Sequence, residues 1–207
     1  MLSFATLPRF AAVAVLCVIA GCSSTYKTDY AEPVSQSLTA NWRLQDVQIV
    51  VPTALTVSEQ TSAYPQADIV WREDPVGDRK AQIARILDDA ATAGAAGLRG
   101  GQPVVIRLTV ERFHALTFEA EALRYDNVGV MNIDFIAEVI DARSGTVIYG
   151  PERIEAAFPG NVGEKAVAAR KAGITQKVLI MSHIKKVIAG WLGLGPDPRM
   201  EFSRIGG

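Results

Sequence analysis

The chain has 207 residues, of which 49% are hydrophobic, and its 21 basic and 22 acidic side chains give a formal net charge of -1. A chain of this length is typical of one globular domain, which can bury a core without disulfides or structural metal ions. The balanced charge and the low aromatic content of 7% exclude a globally basic nucleic-acid-binding protein and an RNA-stacking surface. We therefore expect one domain with an additional segment at one end.

The N-terminal segment is typical of a secretory signal peptide. Arg9 precedes an apolar run from Phe10 to Ile19, which is shorter than the roughly 20 residues that a transmembrane helix needs. Both cysteines of the chain, Cys17 and Cys22, belong to this region. The remaining sequence therefore has no thiol for a disulfide, a catalytic nucleophile or a zinc site. We assign residues 1–21 to the signal peptide.

The four residues from Ile19 to Cys22 resemble the lipobox of bacterial lipoproteins. This resemblance implies that the Cys22 sulfur is diacylated and that Cys22 becomes the mature N-terminus. Two or three long acyl chains anchor a protein in a membrane almost permanently, because each buried methylene contributes about 0.8 kcal/mol. An aspartate after the cysteine tends to retain such proteins in the inner membrane. Ser23 in that position favours the outer membrane, with the domain facing the periplasm.

The residues that follow the lipobox, 23–40, are rich in polar side chains, contain one proline and show no apolar period. This composition predicts a flexible tether with an end-to-end distance of roughly 25 Å. The tether would connect the acylated residue 22 to a single folded domain over residues 41–207.

Alternating apolar side chains predict strands in this domain, and apolar side chains three or four residues apart predict helices. The first predicted elements are a strand over 44–51, an irregular stretch over 53–77 with a β-like patch at 69–71, and a helix capped by Asp78 and stopped at Gly94. A strand follows from 104 towards Phe118, with a phase shift near Arg112, and then a strand over 131–140. A turn over 141–145 leads to a returning arm over 146–149 with an extension over 154–158, and the last element is a helical segment from about 161 to 191. Such a long irregular stretch indicates a functional loop or a segment packed along an edge. Asn161 and Glu164 resemble a capping box, and Gly173 is a candidate break between two helices.

This order predicts an α+β fold with a mixed, mostly antiparallel sheet and two helices packed on one face. The first helix would connect two strands that pair in parallel. The C-terminal stretch, 192–207, contains Met200 and Phe202. These apolar residues predict either a tail packed onto the domain or a partner-binding segment.

Candidate catalytic groups are few. His114 and His183 are the two histidines, and the sequence contains no G-x-S-x-G nucleophile motif and no H-x-x-x-H zinc spacing. The carboxylate pairs Glu119–Glu121 and Asp88–Asp89 are interpreted as solvated faces rather than as acid–base pairs or calcium ligands. We therefore expect no enzymatic activity, no metal ion and no cofactor.

The last helical segment is locally basic. Six basic side chains accompany a single acid, Glu164, and they are Lys165, Arg170, Lys171, Lys177, Lys185 and Lys186. One interpretation is the solvated face of an amphipathic packing helix. The alternative is a contact with anionic lipid head groups, other envelope polyanions or an acidic partner, to which each basic residue contributes about 1 kcal/mol.

Four segments carry a further resemblance, to an uncharacterised family of bacterial lipoproteins: Ala67–Arg72, Arg112–Thr117, Gly173–Val178 and Trp191–Arg199. The whole layout is also similar to small α/β periplasmic lipoproteins, including accessory lipoproteins of envelope transporters. The family resemblance implies no activity. The lipobox, the predicted tether, the basic helical segment and the lack of a catalytic set favour a lipid-anchored, non-enzymatic binding or accessory module of the cell envelope. Its partner would be an envelope protein or an anionic lipid, and not a nucleic acid. The alternative is an envelope hydrolase that acts on lipid or glycan through scattered carboxylates or His114.

Overall fold

The computed structural model describes residues 24–125 and 127–204. The strands are β1 (Ser24–Asp29), β2 (Trp42–Val50), β3 (Ile69–Val70), β4 (Gln102–His114), β5 (Val130–Asp141), β6 (Val147–Ala156), β7 (Phe158–Pro159) and β8 (Met200–Arg204). The helices are α1 (Gln36–Thr39), α2 (Arg79–Gly94), α3 (Phe118–Glu121), α4 (Gly163–Lys171) and α5 (Gln176–Trp191). The predicted signal peptide and lipobox, with Cys17 and Cys22, lie outside the described residues.

All eight strands belong to one sheet, in the order β2-β4-β5-β6-β1-β8, with β3 beside β4 and β7 beside β5. β2 and β3 pair with β4 in parallel, and the other pairs are antiparallel. α2 lies on the connection between β2 and β4, because neighbouring parallel strands need a crossover. This architecture confirms the predicted α+β class and the mostly antiparallel sheet.

The core contains one face of the central strands together with α2 and α5. Every second side chain from Val104 to Val110 on β4, and from Met131 to Val139 on β5, is fully buried. Both helices contribute apolar side chains three or four residues apart, which form one buried stripe on each. The helices pack closely where Gly94 meets α5, since a Cβ at this position would lie 2.7 Å from the Lys185 carbonyl oxygen.

A β-bulge changes the phase of β4 near its end. The register between β4 and β5 shifts between Val110 and Arg112, as the sequence predicts. Phe113 is consequently buried against the core, and Arg112 and His114 lie on the opposite face. The predicted continuation of this strand towards Phe118 is wrong. Thr117 ends the extended segment because its hydroxyl accepts a hydrogen bond from Ala120 N at 3.1 Å and thereby caps α3.

The last helical segment is two helices, divided where the sequence predicts. Gly173 has φ +76°, a conformation that favours glycine, between the end of α4 and the start of α5. The predicted capping box is wrong, because α4 begins one residue later than the box requires. Val162 is the N-cap residue and makes no side-chain capping bond, so Asn161 lies outside the helix. No helix in the described residues is long and apolar enough to span a membrane.

Residues 24–40, which the sequence predicts to be a flexible tether, are instead part of the folded domain. β1 pairs with β6 and with β8, and this pairing leaves polar side chains in water on one face. Tyr30 and Val34 are buried, and Val34 N donates a hydrogen bond to the Trp191 carbonyl at 2.7 Å. The prediction is wrong because partners distant in sequence, rather than a local apolar pattern, order this segment. β8 also confirms, for residues 200–204, the prediction that the C-terminal stretch packs onto the domain.

We expect Tyr30→Ala to lower the free energy of unfolding by about 3 kcal/mol or more, because it leaves a cavity beside α5 and removes a buried aromatic ring. Leu38→Ala is the matched control in the same segment, since the Leu38 side chain is 43% exposed. Urea unfolding followed by tryptophan fluorescence measures both changes. Equal midpoints for wild type and Tyr30→Ala would show that this segment does not contribute to the fold.

Candidate functional site

A cleft of about 380 Å³ opens at the end of the sheet where β4 ends and β5 begins. The first residue of β1, Ser24, also lines it, as do the irregular stretch near Pro65 and helix α3. Its larger polar side chains are Tyr26, Tyr64, Gln66, Arg112, His114, Thr117 and Asn132. Apolar side chains, among them Leu116 and Val130, form the remaining wall. The cleft thus combines converging polar groups with an apolar surface, as small-molecule sites do.

Sheet register places the polar groups of the cleft. His114 and Asn132 are directly opposite each other on β4 and β5, so their side chains lie on the same face. β3 then attaches the irregular stretch to the end of β4: Phe113 N donates to Asp68 O, and Ala115 N donates to Val70 O, both at 2.9 Å. The irregular stretch is therefore packed along an edge, one of the two roles that its length predicts.

The wall of the cleft is attached to α5 through one buried amide. The Gln176 side chain accepts a hydrogen bond from Leu116 N at 2.9 Å and donates one to Leu116 O at 3.0 Å. Gln176 is almost completely buried, so both of these backbone groups would otherwise lose their partners. The extended segment that follows His114 is thereby held against the first turn of α5.

His114 is the cleft residue that could carry out acid–base chemistry. Its Nε2 hydrogen-bonds the Ala67 carbonyl oxygen, which can only accept, so Nε2 carries the proton. Burial lowers the pKa of His114 below its usual value, and the charge of Arg112 acts in the same direction. The ring is therefore neutral at pH 7. No carboxylate within residues 24–125 and 127–204 hydrogen-bonds this ring, so the orienting acid of a Ser-His-acid triad is missing there.

The carboxylates considered for acid–base or calcium chemistry do not line the cleft. Glu121 is paired with Arg170 at 2.7 Å, and Glu119 is exposed on α3. Asp88 and Asp89 lie in the second half of α2, and Asp88 accepts a hydrogen bond from the Thr92 hydroxyl. Within the described part of the chain, no group of three or more His, Cys, Asp or Glu side chains could hold a metal ion.

A charged cluster adjoins the cleft and joins four segments of the chain. Arg170 on α4 forms ion pairs with Glu73 at 3.0 Å and with Glu121 at 2.7 Å. The Glu73 carboxylate also accepts hydrogen bonds from Gln176 N at 3.1 Å and Lys177 N at 2.7 Å, the first two residues of α5. A carboxylate at this position pairs otherwise unsatisfied N–H groups and interacts favourably with the helix dipole. Glu73 therefore connects the irregular stretch to α4 and to α5.

The structure divides the six basic residues that the sequence groups together. Arg170 lies in the cluster just described, and Lys177 forms an ion pair with Asp74 at 2.9 Å. Lys165 and Lys171 are exposed on α4, whereas Lys185 and Lys186 are exposed on α5. Lys185 is eight residues beyond Lys177, which corresponds to about 12 Å along a helix. The six residues therefore do not form one continuous contact face.

The site residues predicted from the sequence do not include the cleft residues Tyr26, Tyr64, Arg112 and Asn132. Their convergence depends on strand pairing that no local pattern reveals. The sequence nevertheless contains one signal. Three of the four segments that carry the family resemblance meet here: Ala67–Arg72 and Arg112–Thr117 line the cleft, and Gly173–Val178 supplies Gln176.

His183, the second histidine, lies away from the cleft. Its ring stacks on Phe158, with 4.3 Å between centroids, and its Nε2 is 3.0 Å from the Thr28 hydroxyl. Thr28 donates its own proton to the Ala157 carbonyl, so Nε2 is the donor in the contact with Thr28. Burial, assisted by the Lys186 ammonium, lowers the pKa of His183 to about 4. This histidine is a neutral, half-buried residue that packs on Phe158.

Comparison with known proteins places the chain in a family. Residues 42–207 match a family model described as a family of unknown function (DUF6778), and the chain belongs to this family. A search of curated proteins finds no significant match. The matched region begins with β2, so it contains the β4 and β5 residues of the cleft, whereas β1 precedes it.

Several solved structures are similar to this chain, including the following three. A candidate lipoprotein from Caulobacter crescentus is 20% identical, with 53% of this chain and 82% of that chain covered and a TM-score of 0.32. The PelC dodecamer from Paraburkholderia phytofirmans is 13% identical, with 81% and 96% covered and a TM-score of 0.32. A DUF330-family protein from Xanthomonas campestris is 12% identical, with 81% and 88% covered and a TM-score of 0.43.

Removing the Glu73 carboxylate should destabilise the fold. Glu73→Ala leaves two N–H groups of α5 and one side of Arg170 without their partner, and we expect it to lower the free energy of unfolding by about 1–3 kcal/mol. Asp89→Ala, on the exposed side of α2, is the control and should change this free energy by less than about 0.5 kcal/mol. Urea titrations of both variants give the comparison. Similar small effects would mean that the cluster does not hold the segments together.

Stability should decrease in mild acid because of His183. The folded protein keeps the ring neutral, whereas the unfolded chain binds a proton near the ordinary pKa of 6.5. Since the unfolded state binds more protons in this range, the free energy of unfolding should fall by about 2 kcal/mol between about pH 7.5 and about pH 5. His183→Gln should remove most of this decrease, and the lowered pKa of His114 should account for a remainder. The same pH dependence in the variant would contradict this assignment.

Proposed function

We propose that this protein is a lipid-anchored, non-enzymatic binding module of the bacterial cell envelope, and that its ligand or partner contacts the cleft. The observation that carries the proposal is the position of Ser24, which lines the cleft and follows the lipobox Cys22 by two residues. Consecutive Cα atoms are about 3.8 Å apart, so the Cα atoms of these two residues lie within about 7.6 Å of each other. Acyl chains on Cys22 would therefore hold the cleft beside the membrane.

The chemistry of the cleft is suited to binding. The Arg112 side chain is exposed and makes no hydrogen bond or ion pair with the described residues. The charge of Arg112 favours the ionised form of two carboxylates, but both have other partners. Asp68 accepts a hydrogen bond from the Thr56 hydroxyl at 2.7 Å, and Asp134 forms an ion pair with Arg153. The guanidinium therefore remains available as a donor for an external acceptor, such as a carboxylate or a phosphate.

The location follows from the same N-terminal features. A lipobox after a short apolar run supports export and acylation, and Ser23 supports retention in the outer membrane with the domain in the periplasm. An envelope protein and an anionic lipid are the two kinds of partner that this location offers. Nothing in this proposal requires a metal ion or a cofactor.

The second candidate function is hydrolysis of an envelope lipid or glycan. The observation in its favour is the position of His114 in the cleft, where the neutral ring leaves Nδ1 able to accept a proton. Binding is better supported, since the described residues supply no carboxylate that would orient His114. The carboxylates in the cluster beside the cleft, Glu73 and Glu121, are already held by Arg170.

Acylation at Cys22 is the experiment that tests the proposed function. Expressed in a bacterium, the full-length chain should be cleaved before Cys22, should carry the added mass of acyl chains and should partition into a detergent phase. Cys22→Ser should lose both the added mass and the partitioning, whereas Cys17→Ser, within the apolar run, should retain both. Intact-mass spectrometry and detergent-phase partitioning measure these outcomes. A mature chain with an unmodified Cys22 thiol would refute lipid anchoring.

A further inference from the structure

We infer that the end of the domain around Ser24 is a membrane-contact surface, which lies among the anionic phospholipid head groups of the membrane that holds the anchor. We call this region the anchor end and define it by Ser24, the cleft and the neighbouring helices α3 and α4. This inference rests on the proposed acylation of Cys22 and deepens it, because it assigns the surface that the anchor brings to the bilayer.

The first argument is the length of the connection. β1 begins at Ser24, so Ser23 alone separates the sheet from the acylated residue. The reach of about 7.6 Å between the Cα atoms of residues 22 and 24 is comparable with the thickness of a head-group layer, which is roughly 5–8 Å on each side of the hydrocarbon core. A tether of 18 residues would allow the domain to stand clear of the bilayer. A connection through Ser23 alone keeps the domain against the bilayer.

The second argument is the position of the exposed aromatic side chains. In the described part of the chain three aromatic residues are exposed: Tyr64 by 49%, Phe118 by 51% and Tyr125 by 65%. Tyr64 lines the cleft together with Ser24, and Phe118 begins α3, which forms part of the cleft wall. Aromatic side chains are enriched at the level of lipid head groups, because their rings are amphipathic.

Backbone contacts place Tyr125 at the same end. The Tyr125 carbonyl accepts a hydrogen bond from Val128 N at 3.3 Å, and the Val128 carbonyl accepts one from Arg204 at 3.2 Å. Arg204 on β8 is directly paired with Ser24 on β1. The three exposed aromatic residues therefore belong to segments that border the cleft or connect to the Ser24–Arg204 pair.

The third argument is charge. A groove between α3 and α4 places the apolar side chains of Phe118 and Val167 beside the cations of Arg124 and Lys171. Both cations are exposed and form no ion pair with the described residues. Arg112 adds a third cation from the cleft on the other side of α3.

The acids of the groove offset part of this positive charge, since its lining holds three cations, Arg124, Arg170 and Lys171, and two acids, Glu121 and Glu164. Glu121 is neutralised by Arg170, and Glu164 is the remaining carboxylate in the lining. An amphipathic groove with an excess of cations is complementary to anionic head groups above an apolar layer. The other end of the domain, at the turn after β5, is about 36 Å away along that strand.

The test measures the depth of the anchor end in a bilayer. The full-length chain is expressed in a bacterium, purified from membranes and reconstituted in vesicles of phosphatidylcholine and phosphatidylglycerol that carry nitroxide-labelled head groups. A fluorophore is attached to the thiol of Tyr125→Cys, since an acylated Cys22 does not react. Ser144→Cys, in the exposed turn between β5 and β6, is the matched control. We expect several-fold stronger quenching at position 125 than at position 144.

The outcomes separate the two proposals. Intact mass, recorded before labelling, shows whether Cys22 is acylated, and an unacylated mature chain refutes the proposed function and the inference that rests on it. An acylated chain that is quenched equally weakly at both positions overturns the membrane-contact surface alone. Equal urea midpoints for the two labelled proteins and wild type verify that they are folded.

Charge reversal tests the choice of head group. Arg124→Glu combined with Lys171→Glu should reduce quenching at position 125 by about twofold in vesicles that contain phosphatidylglycerol. Lys185→Glu, an exposed lysine on α5, is the control and should leave quenching unchanged. Equal quenching before and after the double reversal would overturn the role of anionic lipid in this surface.

Discussion

The pairing of β1 between β6 and β8 is the constraint on which the rest of this structure depends. It converts a polar N-terminal segment into part of the sheet and fixes the position of Ser24 relative to the cleft. β8 can pair there only because the chain returns after α5, so the two ends of the domain stabilise each other. The position of Ser24 at the cleft and the proposed membrane contact both follow from this pairing.

A second constraint acts on the irregular stretch between β2 and α2. Its backbone makes few of the hydrogen bonds of a helix or a strand, and side-chain contacts hold it instead. Asp68 bonds to Thr56, and Glu73 bonds to Arg170 and to the first turn of α5. Hydrogen bonds that a carboxylate accepts are stronger than those between neutral groups. This arrangement explains how a long loop can form one wall of a cleft when β3 is its one strand, only two residues long.

Local sequence patterns predict the central strands, helix α2 and the break at Gly173, because alternation, an N-cap and a glycine act within a few residues. The same patterns fail for β1, whose order depends on partners more than 120 residues away, such as Ala156. They fail also for the cleft, since Arg112 and Asn132 become neighbours only through a bulge and a strand register. His114 could be singled out from the sequence, but its neutral state depends on burial.

The proposed acylation of Cys22, two residues before β1, has a consequence for the opposite end of the molecule. With Cys22 acylated, the distance from the bilayer to the Gly145 turn would be set by the length of a strand, about 36 Å for β5, rather than by a fluctuating linker. The protein would then be a rigid spacer of fixed length. A component bound at the tip would be held at one level in the periplasm, and a component bound in the cleft at the level of the lipid.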